Sequence, residues 1–551
     1  MALLLLIAVL GLSFLPGFLA TRLIFKGREE PEELIAATSF GLSLIAIASI
    51  QFVAFLTQGN PVLWDLGLYG GLVALLAAVV HRKRAWGGLR VSRATWGFLA
   101  FSLYCLLAQF LTPSYNAAGT ADWVLYYPNA QVYLGQVGTE AFATDNRLEY
   151  LVYRTPYFSL LCSFHLAILG QSYPVMQIVC TGVTSWFYWI VLHLVRRFGS
   201  ERAAPLALVL LPIMPMFMRQ VGMPVPKLLG ACLLMLAFLH YFRLLRDARE
   251  GGRRIWGSVL FAVFSVGAFM THASMLFYLV WLAPYQVLLG IRERSWRPGL
   301  SASCMLGIAI LLLAVPWYVW AVGTYGADVT FSAPESMRHG YSTLRAYLLS
   351  RVEMAVTTAV APISLLSLIG SGDWSWLCWS EVVDRFANVL LRFYWETFLG
   401  GFTVSWAILF AVSLWTQRKE SWPQLTRLLA LTGLGGLTCL VVLVAADLQG
   451  HAFNLMAPLA IVLYIRLCCS ASGLRPAVLL PFLVLGTVEY LLVRRLEYAV
   501  YLWDAGRFPY SYLFDSAKVY ESGAFQVLTA AQVLAACAYL WAVVGARRSG
   551  T

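Results

Sequence analysis

Apolar runs of membrane-spanning length recur along the whole chain, and they constrain its fold more than any other feature. Leu34–Phe55 reads LIAATSFGLSLIAIASIQFVAF, Leu228–Phe242 reads LLGACLLMLAFLHYF, and Leu431–Ala445 reads LTGLGGLTCLVVLVA. About 20 consecutive apolar residues, wound as a helix, cross the hydrocarbon core of a bilayer. Inside lipid every backbone polar group needs an internal partner, which a helix supplies within one segment. Of the 551 residues 60% are hydrophobic and 12% charged, about half the charged fraction of a soluble domain. These features predict an all-α polytopic membrane protein with about 15 spans and no large soluble domain.

The charges orient the path. The net charge is +12, but the basic residues fall in short loops: His81–Arg93, Arg196–Arg202, Arg243–Arg254, Ile291–Arg297 and Gln417–Arg427. Arg and Lys excess in short loops marks the cytoplasmic side. No basic face stands clear of the apolar runs, so nucleic acid is not an expected partner. The N-terminal run lacks a basic stretch ahead of it, which predicts a first transmembrane helix rather than a cleaved signal peptide. Nine of the ten cysteines lie in apolar runs or beside them, Cys378 in an expected external loop; all are read as core-like thiols, without zinc spacing.

Helices near 2–22, 33–56, 62–80 and 95–112 then deliver the chain to the outer side. The resulting organisation is 1–112, N-terminal helices; 113–173, a first external loop; 174–322, a central core; 323–396, a second external loop; and 397–551, C-terminal helices with an external loop at 494–521. Thr155–Gly170 is apolar but short. Counting it as a span would break the charge pattern, so it is expected to be interfacial or partly re-entrant, supported by protein. Long aromatic-rich loops outside and short basic turns inside place the chemistry on the outer face of the cell membrane.

The first external loop contains GTADWVLYYPNAQVY, Gly119–Tyr133. If this stretch is helical, Asp122, Tyr126, Asn129 and Tyr133 share one face at i, i+4, i+7 and i+11. Spacing alone leaves two readings: an aromatic belt with a solvated carboxylate, or a catalytic carboxylate flanked by phenols and an amide. Pro128, inside the run, predicts a kink or a broken helix with Asp122 at its tip.

ADWVLYYPNAQVYLGQ resembles the Asp-x3-Tyr pattern that opens the first external loop of GT-C glycosyltransferases, polytopic enzymes that use polyprenyl-phosphate sugars. In chain order, YRTPYFSLLCSFHLAILG is similar to that family's interfacial helix, and VGAFMTHASMLFYLVWLAP to its short helix pair with a polar break. LLLAVPWYVW is similar to the Pro-Trp that closes a helix before a second external loop, and LQGHAFNLMAPLAIVLY to a later conserved-pattern helix. The likeness spans Asp122 to Arg466 and falls nearest the aminoarabinose transferase and protein mannosyltransferase group. The chain departs from the pattern at Pro128, at Lys227 where an acidic residue is usual, and in having more helices before Asp122.

The resemblance implies a GT-C-like transmembrane helix bundle that transfers a sugar from a polyprenyl-phosphate donor to a hydroxyl of a lipid, glycan or protein, with inversion. It assigns Asp122 as the general base. Substrate contacts are expected from Tyr126, Asn129, Arg154, Arg219, Lys227, His272, Arg338, His339 and His451. The cationic members of this set suit a departing phosphate. No cofactor is implied, and a divalent cation is left open; Lys227 weakens a two-carboxylate metal site. Glu140, Asp145 and Glu149 read as solvated loop charges, Asp447 equally as a structural helix partner of His451 or as part of the site, and His165, His193 and His240 as packing residues. Two other classes remain. A lipid-linked glycan polymerase or ligase of the O-antigen type would use late-loop arginines and a histidine. A secondary transporter would put charges at the midplane of broken helices in two repeated halves, and no such repeat is visible.

Overall fold

The computed structural model describes residues 1–57, 60–85, 92–110, 122–135, 154–199, 203–214, 217–218, 226–250, 255–293, 296–327, 330, 404–416, 423–445, 457–475, 477–487 and 490. Helices account for nearly all of it, with no strand among the described residues. Among the described residues, seven helical stretches are long and apolar enough to cross a membrane, and six shorter apolar helices accompany them. The all-α membrane architecture therefore holds.

The chain opens with α1 (Ala2–Leu12) and α2 (Leu15–Ile24), followed by α3 (Glu32–Leu56), α4 (Pro61–Arg82), α5 (Arg93–Phe110) and α6 (Asp122–Tyr133). Next come α7 (Tyr157–Leu169), α8 (Tyr173–Phe198), α9 (Ala203–Leu210), α10 (Lys227–Arg249) and α11 (Ile255–Thr271). The remainder comprises α12 (Leu276–Leu279), α13 (Leu282–Glu293), α14 (Arg297–Ala309), α15 (Val315–Tyr325), α16 (Val404–Thr416), α17 (Pro423–Ala445), α18 (Ala457–Ala471) and α19 (Ala477–Thr487).

Local chemistry sets the ends. Asn60 caps α4 by accepting from the N–H groups of Val62 and Leu63 at 3.0 and 3.4 Å, and Pro61 supplies a first-turn residue with no N–H to satisfy. The N-terminal run is expected as one helix but forms two, α1 and α2, bent at Ser13–Phe14. Pro16 opens α2, and the Tyr69 hydroxyl donates to the carbonyl of Leu12, freed at the bend, at 2.9 Å.

The bend brings α2 onto α3 at contact distance. A Cβ on Gly17 would lie 1.8 Å from the Ser39 carbonyl oxygen, and the Gly17 N–H donates to the Ser43 hydroxyl at 2.8 Å. Thr21 and Ser39 hydroxyls pair at 2.9 Å one turn along. Small and hydroxyl residues at i, i+4 on both helices make the close crossing typical of membrane bundles. Gly17→Val forces these helices apart and is expected to destabilise the protein by about 1–3 kcal/mol, read as a lower melting temperature in detergent. An unchanged melting temperature would contradict this crossing.

α8 is buried along its span and forms the bundle's axis, whereas α4 and the stretch from α14 to α15 expose most of their apolar side chains. Apolar exposure of that kind is the face offered to lipid. Cys304 is exposed on α14; the other seven described cysteines are buried. α7, only 13 residues long, is buried among α3, α4, α6 and α8. At roughly 20 Å it is too short to cross the bilayer alone, as its apolar but truncated sequence predicts.

LLLAVPWYVW was expected to close a helix, and the helix ends a few residues beyond it, at Tyr325. Pro316 has no N–H to offer the carbonyl four residues back. A π turn, Ile310–Ala314, precedes it and absorbs the mismatch. The Tyr157 hydroxyl donates to the Leu313 carbonyl in that turn at 3.2 Å. Gly326, at φ 87°, ends α15.

The two ends of the bundle differ. At one end, α8 and α10 finish in arginine-rich turns and α3 begins with Glu32 and Glu33. At the other lie α6, the start of α8, the start of α10 and the break after α11: the rings of Tyr127 and Tyr173 meet at 5.4 Å. The 26 residues of α8 separate these ends by about 39 Å.

Candidate functional site

α6 forms as its period predicts, and Asp122 is its first residue. Pro128 neither breaks it nor splits it; the helix runs continuously from Asp122 to Tyr133. The reason is tertiary support, because Tyr126 to Leu134 are buried apart from half-buried Gln131. The loss of one backbone hydrogen bond at Pro128 is tolerated where neighbours hold both sides. Tyr126, Asn129 and Tyr133 therefore face protein rather than lipid, and the aromatic-belt reading does not describe them. The Asp122 side chain lies outside the described residues.

The first and last turns of α6 have separate anchors. In the first, Arg154 Nη1 donates to the Tyr126 hydroxyl at 2.9 Å, with the guanidinium carbon 5.5 Å from the ring centroid. Phe158, in the first turn of α7, meets the same ring edge-on at 5.3 Å. Thus α7 and the residues before it fix a cation on Tyr126, the residue one helical turn along α6 from Asp122. At the last turn, the Gln51 amide donates to the Tyr133 carbonyl at 3.1 Å, and Trp317 Nε1 donates to the Tyr133 hydroxyl at 3.4 Å. Phe55 meets that ring edge-on at 5.2 Å. Burial pushes the Tyr133 phenol well above its ordinary range. Tyr133 is therefore a fixed neutral donor and acceptor, unsuited to act as a base.

The same end of the bundle carries Lys227 and His272. Lys227 is buried at the first residue of α10, directly after Pro226. His272 interrupts the helical path after α11 with extended backbone angles, at the polar break that its sequence predicts. Its Nδ1 accepts from the Ser274 N–H at 3.3 Å and lies 2.7 Å from the Ser274 hydroxyl. With Nδ1 accepting, the neutral ring carries its proton on Nε2 and can donate from that side. Gly230 lets the two helices meet here: a Cβ on it would lie 3.3 Å from Met275 Cγ and 3.6 Å from His272 Cβ.

Arg219, Arg338, His339 and His451 lie outside the described residues, as do Glu140, Asp145, Glu149 and Asp447. Most of the second external loop and the loop at 494–521 also lie outside them. Among the described residues no cluster of three or more His, Cys, Asp or Glu side chains is arranged to hold a metal ion.

The three histidines read as packing residues divide. His165 lies 3.2 Å from the Ser13 hydroxyl and 2.9 Å from the Leu161 carbonyl. His240 lies 3.2 Å from the Thr38 hydroxyl and stacks on Phe264 at 5.6 Å. Both are hydrogen-bonded packing residues. His193 is buried with neither ring nitrogen partnered among the described residues, which packing alone does not explain. Asp65 also escaped the sequence reading. It is fully buried on the inward face of α4, four residues before Tyr69, and neither carboxylate oxygen has a hydrogen-bond partner among the described residues. Its signal was present: it is the one Asp, Glu, Lys, Arg or His in the run Pro61–Val80.

Residues 157–377 match the family model DUF6541, described as a family of unknown function. No curated protein and no solved structure matches the chain. The part similar to DUF6541 begins with the first residue of α7 and runs past α15. It contains Arg219, Lys227, His272, Arg338 and His339. Asp122, Tyr126, Asn129, Arg154 and His451 fall outside it.

Proposed function

We propose that this chain is a membrane glycosyltransferase of GT-C type. It transfers a sugar from a polyprenyl-phosphate donor to an acceptor hydroxyl at the extracytoplasmic face of the cell membrane. The observation that carries this reading is the pairing at α6: the Tyr126 hydroxyl, one turn from Asp122, holds the Arg154 guanidinium at 2.9 Å. A carboxylate that can take a proton and a cation that can meet a phosphate then belong to one small structural unit.

In this mechanism Asp122 accepts the proton of the acceptor hydroxyl, whose oxygen attacks the anomeric carbon. The bond from that carbon to the phosphate oxygen breaks, and its electron pair leaves with polyprenyl phosphate. Arg154 stabilises the charge that grows on the departing phosphate, as a forked donor suits. Lys227 adds a point charge, and the Nε2 donor of His272 a hydrogen bond. Asn129, on the Asp122 face of α6, orients the sugar, and Arg219, Arg338, His339 and His451 are further candidates for donor contact.

A single displacement inverts the anomeric centre. Purified protein in nanodiscs, supplied with a panel of polyprenyl-phosphate sugars and an acceptor extract, is expected to release one polyprenyl phosphate per sugar transferred and to invert the linkage. A product of retained configuration would overturn the single-displacement mechanism. Solute uptake by proteoliposomes without donor consumption would replace the reading with a transporter.

A further inference from the structure

A cavity of about 400 Å³ opens at the arginine-rich end of the bundle, between α3, α8, α10 and α17. Six arginines line it: Arg196 and Arg197 from the last turn of α8, Arg243, Arg246 and Arg249 from α10, and Arg427 from α17. Only two carboxylates, Glu30 and Glu33, share the lining.

Those carboxylates are already engaged. Glu33 pairs with Arg196 at 3.1 Å and Glu30 with Arg243. Asp247, which is not in the lining, lies 3.6 Å from Arg28 and 3.9 Å from both Arg243 and Arg246. No carboxylate among the described residues forms an ion pair with Arg197 or Arg427; the Arg197 guanidinium lies 5.7 Å from the Phe198 ring. The cavity thus carries more positive charge than its own acids offset.

Arginines at the C-terminal turns of α8 and α10 have an ordinary explanation. They complement the helix dipoles, and basic residues collect on the cytoplasmic side of membrane proteins. That explanation covers exposed side chains that water can satisfy. It does not cover His193 and Arg243, which line the same cavity at 4% and 5% exposure. Both ring nitrogens of His193 and Nη1 of Arg243 have no hydrogen-bond partner among the described residues. Buried donors left unmade are costly and scarce in native proteins. Donors and excess cations converging on one hollow call for an anionic acceptor.

We propose that this cavity binds a phosphate group, held by Arg197, Arg243 and Arg427 with a hydrogen bond from His193. Guanidinium forks match phosphate oxygens, and several around one pocket neutralise its charge. α8 separates this site from the Asp122 helix by most of a bilayer's thickness, so it is distinct from the donor site of the proposed transfer and does not depend on it. The phosphate is presented either by an anionic lipid of the facing leaflet or by a soluble phosphate; the chemistry of recognition is the same.

Delipidated full-length protein in detergent, titrated with inorganic phosphate and with dioctanoyl phosphatidic acid, tests this. Dioctanoyl phosphatidylcholine, which carries no net charge, serves as the reference. The wild type is expected to bind at least one of the two anionic probes in preference to phosphatidylcholine. The Arg197→Gln/Arg427→Gln double variant is expected to weaken that binding about tenfold or more, and Arg197→Lys/Arg427→Lys to recover part of it. Both variants change exposed or half-buried residues, and an unaltered elution profile confirms their folding. Binding of phosphatidic acid alone assigns a lipid headgroup; binding of inorganic phosphate assigns a soluble phosphate. Binding of neither probe, or equal binding by wild type and the glutamine variant, overturns the proposal.

Discussion

Asp122→Asn is expected to lower the rate of sugar transfer about 10²- to 10⁴-fold, with little change in donor KM. Asparagine keeps the size of the side chain and its ability to cap a helix start, so the fold should not change. What it loses is the capacity to accept the acceptor's proton as the new bond forms. α6 is held by the Arg154–Tyr126 contact and by the Gln51 and Trp317 bonds to Tyr133, none of which involves Asp122. The comparison of kcat at matched melting temperature checks this. Full activity in the variant would remove Asp122 from the chemistry.

Arg154→Gln should cost about 10²- to 10³-fold in kcat, the usual effect of removing one donor aimed at developing charge. Arg154→Lys should recover part of that loss, because ammonium restores the charge but not the fork. Tyr126 acts through Arg154. Tyr126→Phe keeps the ring against Phe158 and removes only the oxygen that accepts from the guanidinium, so a smaller loss, about tenfold, is expected. An order of effect with Tyr126→Phe more damaging than Arg154→Gln would contradict this division of roles.

The parts of the fold read from sequence are those set by local chemistry. α3, α4 and α5 begin and end within a few residues of their expected limits, because apolar runs, Asn60 and Pro61 act on their own segments. α7 was read as too short to span, and its burial shows what supports it. The effect of Pro128 misled the reading because neighbours decide it: the residue sits inside a helix that α7, α3 and α15 hold from outside. The bend between α1 and α2 follows from the crossing at Gly17 and Ser39, 22 positions apart in sequence. No local period records such a contact.

The candidate site divides in the same way. The helical spacing of Asp122, Tyr126, Asn129 and Tyr133 placed them on one face, and His272 was recognisable as a polar break. The link from Arg154 to Tyr126 crosses 28 residues and had no signature beyond a cation near an apolar helix. The arginine cavity was less visible still. Its residues come from four segments, each of which reads as an ordinary basic turn or acidic helix start. Only packing shows that they surround one space and that both ring nitrogens of His193 and Nη1 of Arg243 lack a hydrogen-bond partner among the described residues.

Donor turnover by purified protein in nanodiscs tests the central claim most directly, with wild type and Asp122→Asn assayed side by side against a panel of polyprenyl-phosphate sugars. The account predicts that wild type consumes one donor class and releases polyprenyl phosphate in step with a glycosylated product, while the variant does so at most about a hundredth as fast. No donor consumed by folded wild-type protein with acceptor present, or equal turnover by both proteins, would contradict it.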